Sequence, residues 1–330
     1  MNMKRLITIT ICTIVCMTTF GATVQRAILS HQGKLTQFDQ NHWQEAIEQA
    51  VAGDTVFFTA GAFPGDLTIT KAITLIGAGV GADDAFYKDT DIATAYAGCA
   101  KAGESTTIEG NIAIAIPGNI TLSRTLLENL RLDGKWIRFT QPINYPTIKR
   151  CQCRMVYYSG DGVLSAEAKV THLTLENCYI YKVAFSNIEE PNIYNCYFDE
   201  ISDAKEETEF VNCAIMKVWS TSNCSFINCI ANLEYNSVSN TCTYCIYNES
   251  GAGDHTTFIN CKNVNNAQCL TKAQLQEGGY IGIDDTFIGP FGGEKPFTLI
   301  PAQPYVSSSI LSYNKTTKKL TVNATVNKGQ

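Results

Sequence analysis

Charge is scarce in this chain. Asp, Glu, Lys and Arg make up 17% of its 330 residues, and the formal net charge is −6. A weakly charged, slightly acidic chain lacks the basic stripe that a phosphate backbone requires, so no nucleic-acid partner is expected. Histidine occurs only four times. His172 and His255 have no Ser or Cys at a readable spacing, so no nucleophile–base pair stands out. Beyond the first stretch of the chain, no apolar run is long enough to cross a membrane. Low-complexity segments are absent. So are the acidic clusters of a calcium cage, which needs about 6–8 oxygens.

What the chain has instead is a row of cysteines. Cys178, Cys196, Cys213, Cys229, Cys245 and Cys261 follow one another at gaps of 18, 17, 16, 16 and 16 residues. Asn177, Asn195, Asn212, Asn228 and Asn260 precede five of them, and Tyr244 precedes the sixth. A helical hairpin repeat needs about 30 residues or more, so this period is too short for one. It fits one coil of a parallel β-helix. With each Cys as position zero, the +2 residues share its side of a strand, because side chains alternate. The −3 residues (Leu175, Ile193, Phe210, Phe226, Cys242 and Phe258) lie across a corner marked by Asn. Asn tolerates the left-handed conformation that a tight corner needs. Stacked Asn side chains are expected to form an amide ladder. Two earlier coils carry the pattern at wider gaps, at Leu127, Asn129, Leu130 and Leu132 and at Ile148, Arg150, Cys151 and Cys153. The polar Asn263 predicts a core that tapers at its C-terminal end.

Residues 1–21 have the features of a secretory signal: Lys4 and Arg5, an apolar run from Leu6 to Met17, and small residues at Thr19 and Gly21. Export is therefore expected, with lipoprotein processing at Cys16 as the lesser alternative because no small residue precedes it. Removing these residues leaves 12 cysteines and a net charge of −8, from 23 Lys and Arg against 31 Asp and Glu. An even count in an exported chain invites disulfides. The periodicity argues for stacked free thiols, since parallel Cβ vectors do not suit a disulfide. Cys242-x-x-Cys245 looks like half a zinc site, but both members already have places in the inward rows and no second pair follows.

The start of the chain predicts a strand pair over Arg26–Phe38 around Gln32-Gly33. A helix is expected over Asn41–Val51, capped by Asn41 and Gln44 and covering the open end of the stack. The segment Ala46-Ile47…Gly53-Asp54-Thr55-Val56, Gly61-Ala62-Phe63 and Ile73-Thr74-Leu75-Ile76-Gly77 resembles the opening of pectin-lyase-like right-handed β-helix proteins. The resemblance covers Ala46–Gly79 closely, and the Asn-Cys coils extend it to about Cys261. It implies an all-β fold, a single right-handed parallel β-helix (solenoid). It implies no activity, because that fold hosts lyases, hydrolases, esterases, adhesins and stalks. Gly77-x-Gly79-x-Gly81 precedes no helix pattern and reads as a coil exit into an irregular Asp83–Glu104 insertion. The expected parts are therefore a signal over 1–21, a strand pair and helix over 22–54, the β-helix over 55–285 and a C-terminal extension over 286–330. That extension holds a hairpin over Ser308–Tyr313 and Leu320–Val326. Its Gly-Gly-x-x-Pro-Phe-x-Leu stretch resembles exported bacterial β-helix proteins of no assigned role.

Positions +1 and +3 are expected to point outward. They place Arg131, Asp133, Gln152, Arg154, Tyr179, Tyr181, Tyr197 and Asp199 on one face. Aromatic faces cover the C–H surface of sugars, and charged or amide groups bind hydroxyls. The segment Arg124–Arg154 is basic within an acidic protein, which favours an anionic ligand. The expected function is non-catalytic binding of a carbohydrate or surface partner by a monomer, through Arg131, Gln152, Arg154, Tyr179, Tyr181 and Tyr197. One alternative is a polysaccharide lyase with Arg154 as base and Asp133 and Asp199 as charge partners. Calcium enters only under that alternative, and no cofactor is otherwise expected. A structural stalk or adhesin is the third reading. Lys182, Glu200 and Lys217, at +4, are expected to pair across coils.

Overall fold

A computed structural model describes residues 25–81, 90–100, 105–118, 120–122, 125–159, 169–233, 237–249, 255–301, 305–314 and 319–327. The expected signal lies outside these residues, as do both ends of the Asp83–Glu104 insertion.

The chain is a parallel β-helix. The first sheet contains ten parallel strands, one per coil, from Thr55–Phe58 to Thr257–Ile259. A second long sheet runs alongside it and ends at Lys262–Asn263. In the middle coils a short third sheet joins Ile143–Asn144, Val170–Thr171 and Ile188–Glu189. The rows stand in register. Leu175, Ile193, Phe210, Phe226, Cys242 and Phe258 pair in sequence down the first sheet. All but Phe258 are fully buried, and Phe210 stacks face to face on Phe226 at 5.0 Å. The last coil is thinner: Phe258 and Cys261 are half-buried and Asn263 is exposed. The expected taper is present.

Corners decide the coil. Asn129, Arg150, Asn177, Asn195, Asn212, Asn228, Tyr244 and Asn260 all have φ between 47° and 57°. A second left-handed row lies six residues before each zero position, at Tyr145, His172, Glu190, Glu207, Asn223, Ser239 and His255. Nothing in its composition reveals it. Three-residue strands of the first sheet are thus held between two left-handed corners. The positive φ costs about 1–2 kcal/mol per residue and persists because the flanking ladders over-determine it.

The corner also explains the cysteines. Each bend takes a backbone N–H out of the ladder, and a buried N–H needs an acceptor. Cys178 N–H donates to Cys196 Sγ at 3.4 Å, Cys213 N–H to Cys229 Sγ at 3.4 Å, Cys229 N–H to Cys245 Sγ at 3.4 Å and Cys245 N–H to Cys261 Sγ at 3.3 Å. In turn each thiol lies on the carbonyl two residues back, as Cys229 Sγ does on Ile227 O at 3.2 Å. Cys is small enough for the corner, counts as a hydrophobe and still offers a weak donor and acceptor. All twelve described cysteines are free thiols. Burial pushes the Cys196, Cys213 and Cys245 thiols well above their ordinary range.

The two ends are finished differently. Arg26–His31 and Lys34–Asp39 form the expected antiparallel pair, turning at Gln32 and Gly33, and the first of them pairs with Thr55–Phe58. Helix α1, Trp43–Gln49, buries Trp43, Ala46 and Ile47. Trp43 meets Phe58 and Phe63 edge-on at 5.8 and 6.0 Å, which closes the stack. The expected Asn41/Gln44 cap does not form, and the N-cap residue, His42, makes no side-chain capping hydrogen bond. Asp39 Oδ1 accepts from the N–H groups of Asn41 and His42, while Gln44 donates to Asp66 O at 2.8 Å. Asp39 lies upstream of the helical pattern and is brought in by the strand that ends there. Asp54 of the Gly53-Asp54 turn accepts from Val51 N–H at 2.8 Å and faces His31 Nδ1 at 2.9 Å. The last coil ends the sheets at Thr257–Ile259 and Lys262–Asn263, and later in the chain Tyr305–Asn314 and Lys319–Asn327 form the expected hairpin.

Cys229→Ala should lower stability by about 1–3 kcal/mol in urea unfolding, because it leaves the buried Cys213 N–H without an acceptor. In the same preparation, iodoacetamide should reach Cys196, Cys213 and Cys229 only after denaturation.

Candidate functional site

The +1 row is in register along the second sheet, as Arg131, Gln152, Tyr179, Tyr197, Ala214, Ile230, Ile246 and Lys262. Its side chains do point away from the coil interior. From Gln152 to Ile246 they do not reach solvent. Gln152 and Tyr197 are 0% exposed and Tyr179 1%. The expected ligand face is corrected here: Tyr179 and Tyr197 are floor residues of a second hydrophobic core, and Gln152, next in register to Tyr179, is buried as well.

Three segments build that core. Helix α2, Thr90–Ala95, lies within the Asp83–Glu104 insertion and buries Ile92, with Ala95 and Tyr96 following. After the last coil a 3₁₀ turn, Ala267–Cys269, and helix α3, Lys272–Glu277, bring in Ala267 and Leu275. Thr271 and Gln274 close a capping box at the start of α3. A strap over residues 278–300 then returns along the corner and contributes Ile288, Phe297 and Leu299. Tyr96 is the hub. Its ring meets Tyr197 edge-on at 5.1 Å, stacks on Phe291 at 5.1 Å and meets Phe297 edge-on at 5.7 Å. Burial drives the Tyr197 hydroxyl far above its ordinary pKa. That hydroxyl has no hydrogen-bond partner among the described residues.

The strap is fastened to the Asn corners. Thr298 N–H donates to Asn177 Oδ1 at 3.0 Å, and Asn195 Nδ2 donates to Gly292 O at 2.7 Å and Pro290 O at 3.2 Å. Ile283 N–H donates to Asn228 Oδ1 at 2.9 Å. Gly293 sits so close that a Cβ there would lie 2.4 Å from Asn212 Nδ2, and its φ is +74°. The Gly-Gly-x-x-Pro-Phe-x-Leu stretch is therefore a docking sequence. No amide-to-amide ladder forms among the described Asn residues. Asn177, Asn195 and Asn228 bind strap backbone instead. Lys295 of the strap reaches Glu176 at 3.4 Å, which also holds Lys149 at 2.9 Å. Burial pushes the Glu176 carboxyl up, but the two ammonium groups outweigh it and hold the carboxyl below its ordinary value.

Other parts of the second sheet stay open. Tyr181 is 45% and Trp136 42% exposed. Trp136 meets Tyr157 edge-on at 6.1 Å. Trp136, Met155 and Lys182 follow in register, as do Arg138, Tyr157 and Ala184. Arg154 is exposed and falls beside Tyr181 on the next strand, with Asp199 beyond it. Neither Arg138 nor Arg154 has a carboxylate partner among the described residues. Their neighbours are paired: Arg131 with Asp133 at 3.2 Å, Arg150 with Glu128 at 2.8 Å and Lys182 with Glu200 at 2.5 Å. The expected Lys182–Glu200 pair is thus formed. Trp136, Arg138 and Tyr157 were missed from the row pattern. A bulge at Asp133–Lys135 offsets the strand of Trp136 and Arg138, with Leu132 opposite Cys153 but Trp136 opposite Met155, and so brings Arg138 opposite Tyr157.

The residues named for a lyase do not converge. Asp133 sits in that bulge, held by Arg131, and Asp199 lies three coils further on, roughly 14 Å away at strand spacing. Among the described residues no three His, Cys, Asp or Glu side chains converge as metal ligands. Cys242 and Cys245 are both sealed in the inner core. No family model, curated protein or solved structure matches this chain.

Removing the stranded hydroxyl with Tyr197→Phe should leave stability unchanged or slightly raised, whereas Tyr197→Ala should cost about 3–5 kcal/mol by thermal or urea unfolding. Glu176 predicts a pH effect. Its folded pKa lies below the ordinary 4.5, so its contribution is complete above that value and is lost as pH falls through the folded one. Amide exchange in residues 293–299 should therefore quicken below about pH 4.5, and Glu176→Gln should remove most of that pH dependence.

Proposed function

We propose that this chain is an exported, non-catalytic binding protein whose carbohydrate ligand rests on the open strip of the second sheet, on Trp136, Arg138, Arg154, Tyr157 and Tyr181. One observation carries the reading: exposed aromatic rings and two guanidinium groups without a carboxylate partner among the described residues stand on adjacent, hydrogen-bonded strands, while neighbouring charges are paired. Rings on a rigid sheet cover sugar C–H surface at little entropic cost, and guanidinium forks bind hydroxyl or carboxylate oxygens. Arg154 and Tyr181 keep the role given them by the row pattern. Trp136, Arg138 and Tyr157 replace the buried Gln152, Tyr179 and Tyr197. The resemblance of the opening segment to pectin-lyase-like proteins accords with a sugar-facing role outside the cell, and its lyase chemistry is not part of the proposal.

The test is a panel of acidic and neutral polysaccharides, with and without calcium, read for retention of the protein and for cleavage of the chain. Retention without cleavage is expected. Trp136→Ala and Tyr181→Ala should each weaken it by about 0.5–1.5 kcal/mol, and Arg154→Ala by about 1.5–3 kcal/mol. Folding should be unchanged in all three. Unsaturated or shortened products would overturn the reading in favour of a lyase, and absence of retention would leave a stalk.

A further inference from the structure

We propose that the open end of the cysteine row binds a soft, singly charged d10 metal ion, Cu(I) or Ag(I), between Cys245 and Cys261. The row is continuous, and its end is accessible. Both long sheets stop in this coil, at Thr257–Ile259 and Lys262–Asn263, with no further strand paired to them among the described residues. Cys245 is fully buried, and Cys261 is half-buried at the rim. Cys245 N–H donates to Cys261 Sγ at 3.3 Å, and Cys261 Sγ approaches Cys242 O at 3.2 Å. The Cys245 thiol also touches the thiols of Cys242 and Cys261.

The geometry that disfavours a disulfide suits a linear metal bridge. Parallel side chains one coil apart are separated by about 4.8 Å, against an S–S bond of about 2.05 Å. Two metal–thiolate bonds of about 2.3 Å, laid end to end, span about 4.6 Å. Zinc wants four ligands, and among the described residues no set of that size converges here, where the Cys242 thiol is the one further sulfur on the rim side of the pair. A pair of sulfur donors alone selects soft ions. Binding forms two metal–sulfur bonds and releases two thiol protons to solvent, with no electron transferred. Pairs further inside have no member at the rim: Cys196, Cys213 and Cys229 are fully buried, whereas the Cys245–Cys261 pair is reached through the half-buried Cys261.

The reduced full chain would be titrated with Ag(I), and separately with Cu(I) under anaerobic conditions against a chromophoric Cu(I) chelator. One tightly held equivalent is expected. Cys261→Ser should lower affinity by about a hundredfold or more, and Cys196→Ser should leave it unchanged. A second measurement needs no substitution: Ag(I) should block alkylation of Cys261, mapped by peptide mass, and Zn(II) should not. The proposal is overturned if Cys261→Ser holds the ion as well as the parent does. Failure of Ag(I) to protect Cys261, or equal protection by Zn(II), would also overturn it.

Discussion

Everything in this molecule hangs on the left-handed corner. A parallel strand three residues long contributes little by itself. It persists because a sharp bend at each end returns the chain to the same place one strand spacing further on. Two bends per coil, at −1 and −6, set that return, and both require positive φ. The bend at −1 strips a backbone N–H of its ladder partner inside the core. A thiol one coil below supplies the acceptor. The cysteine row is thus a consequence of the corner, and its regular period follows from a coil that cannot change length on that side without losing the acceptor.

The same corner works outward. A residue in the left-handed conformation turns its side chain away from the core, and Asn offers both a donor and an acceptor there. Asn177, Asn195 and Asn228 spend those groups on the backbone of the strap. The strap then carries Phe291, Phe297 and Leu299 onto the outer face of the second sheet, where Tyr96 meets them from the insertion. A sheet that would otherwise present Tyr179, Tyr197, Ala214 and Ile230 to water gains a second apolar layer. Burial of that area favours the docked strap, and the Asn hydrogen bonds fix its register.

Covering one part of a sheet gives the uncovered part its character. Trp136, Arg154 and Tyr181 remain exposed, with Arg138 and Tyr157 half-buried beside them, while Arg131, Arg150, Lys149 and Lys182 are held by carboxylates. The two guanidinium groups, which have no carboxylate partner among the described residues, and the exposed rings beside them are what the proposed ligand strip rests on. At the bottom of the solenoid the contrast is between sealed thiols and one at the rim, and the difference is simply whether another coil follows.

The sequence by itself determined the coil. Period, inward rows, the Asn corners, the closing helix, the opening strand pair and the final hairpin could all be read from it, because side-chain alternation and conformational preference are local properties. Three things were not readable. The −6 corners carry Tyr, His, Glu, Asn and Ser, which share no composition, and their φ is imposed by the ladders on either side. The bulge at Asp133–Lys135 shifts Trp136 and Arg138 into line with Met155 and Tyr157, and register depends on the neighbouring strand. The fate of the +1 row turned on segments distant in the chain. Outward from a coil means exposed only if nothing returns to cover it, and the strap that covers Tyr197 comes from about a hundred residues downstream. Only the tertiary structure could decide that, because burial is set by which surfaces meet and alternation along a strand says only which way each side chain points.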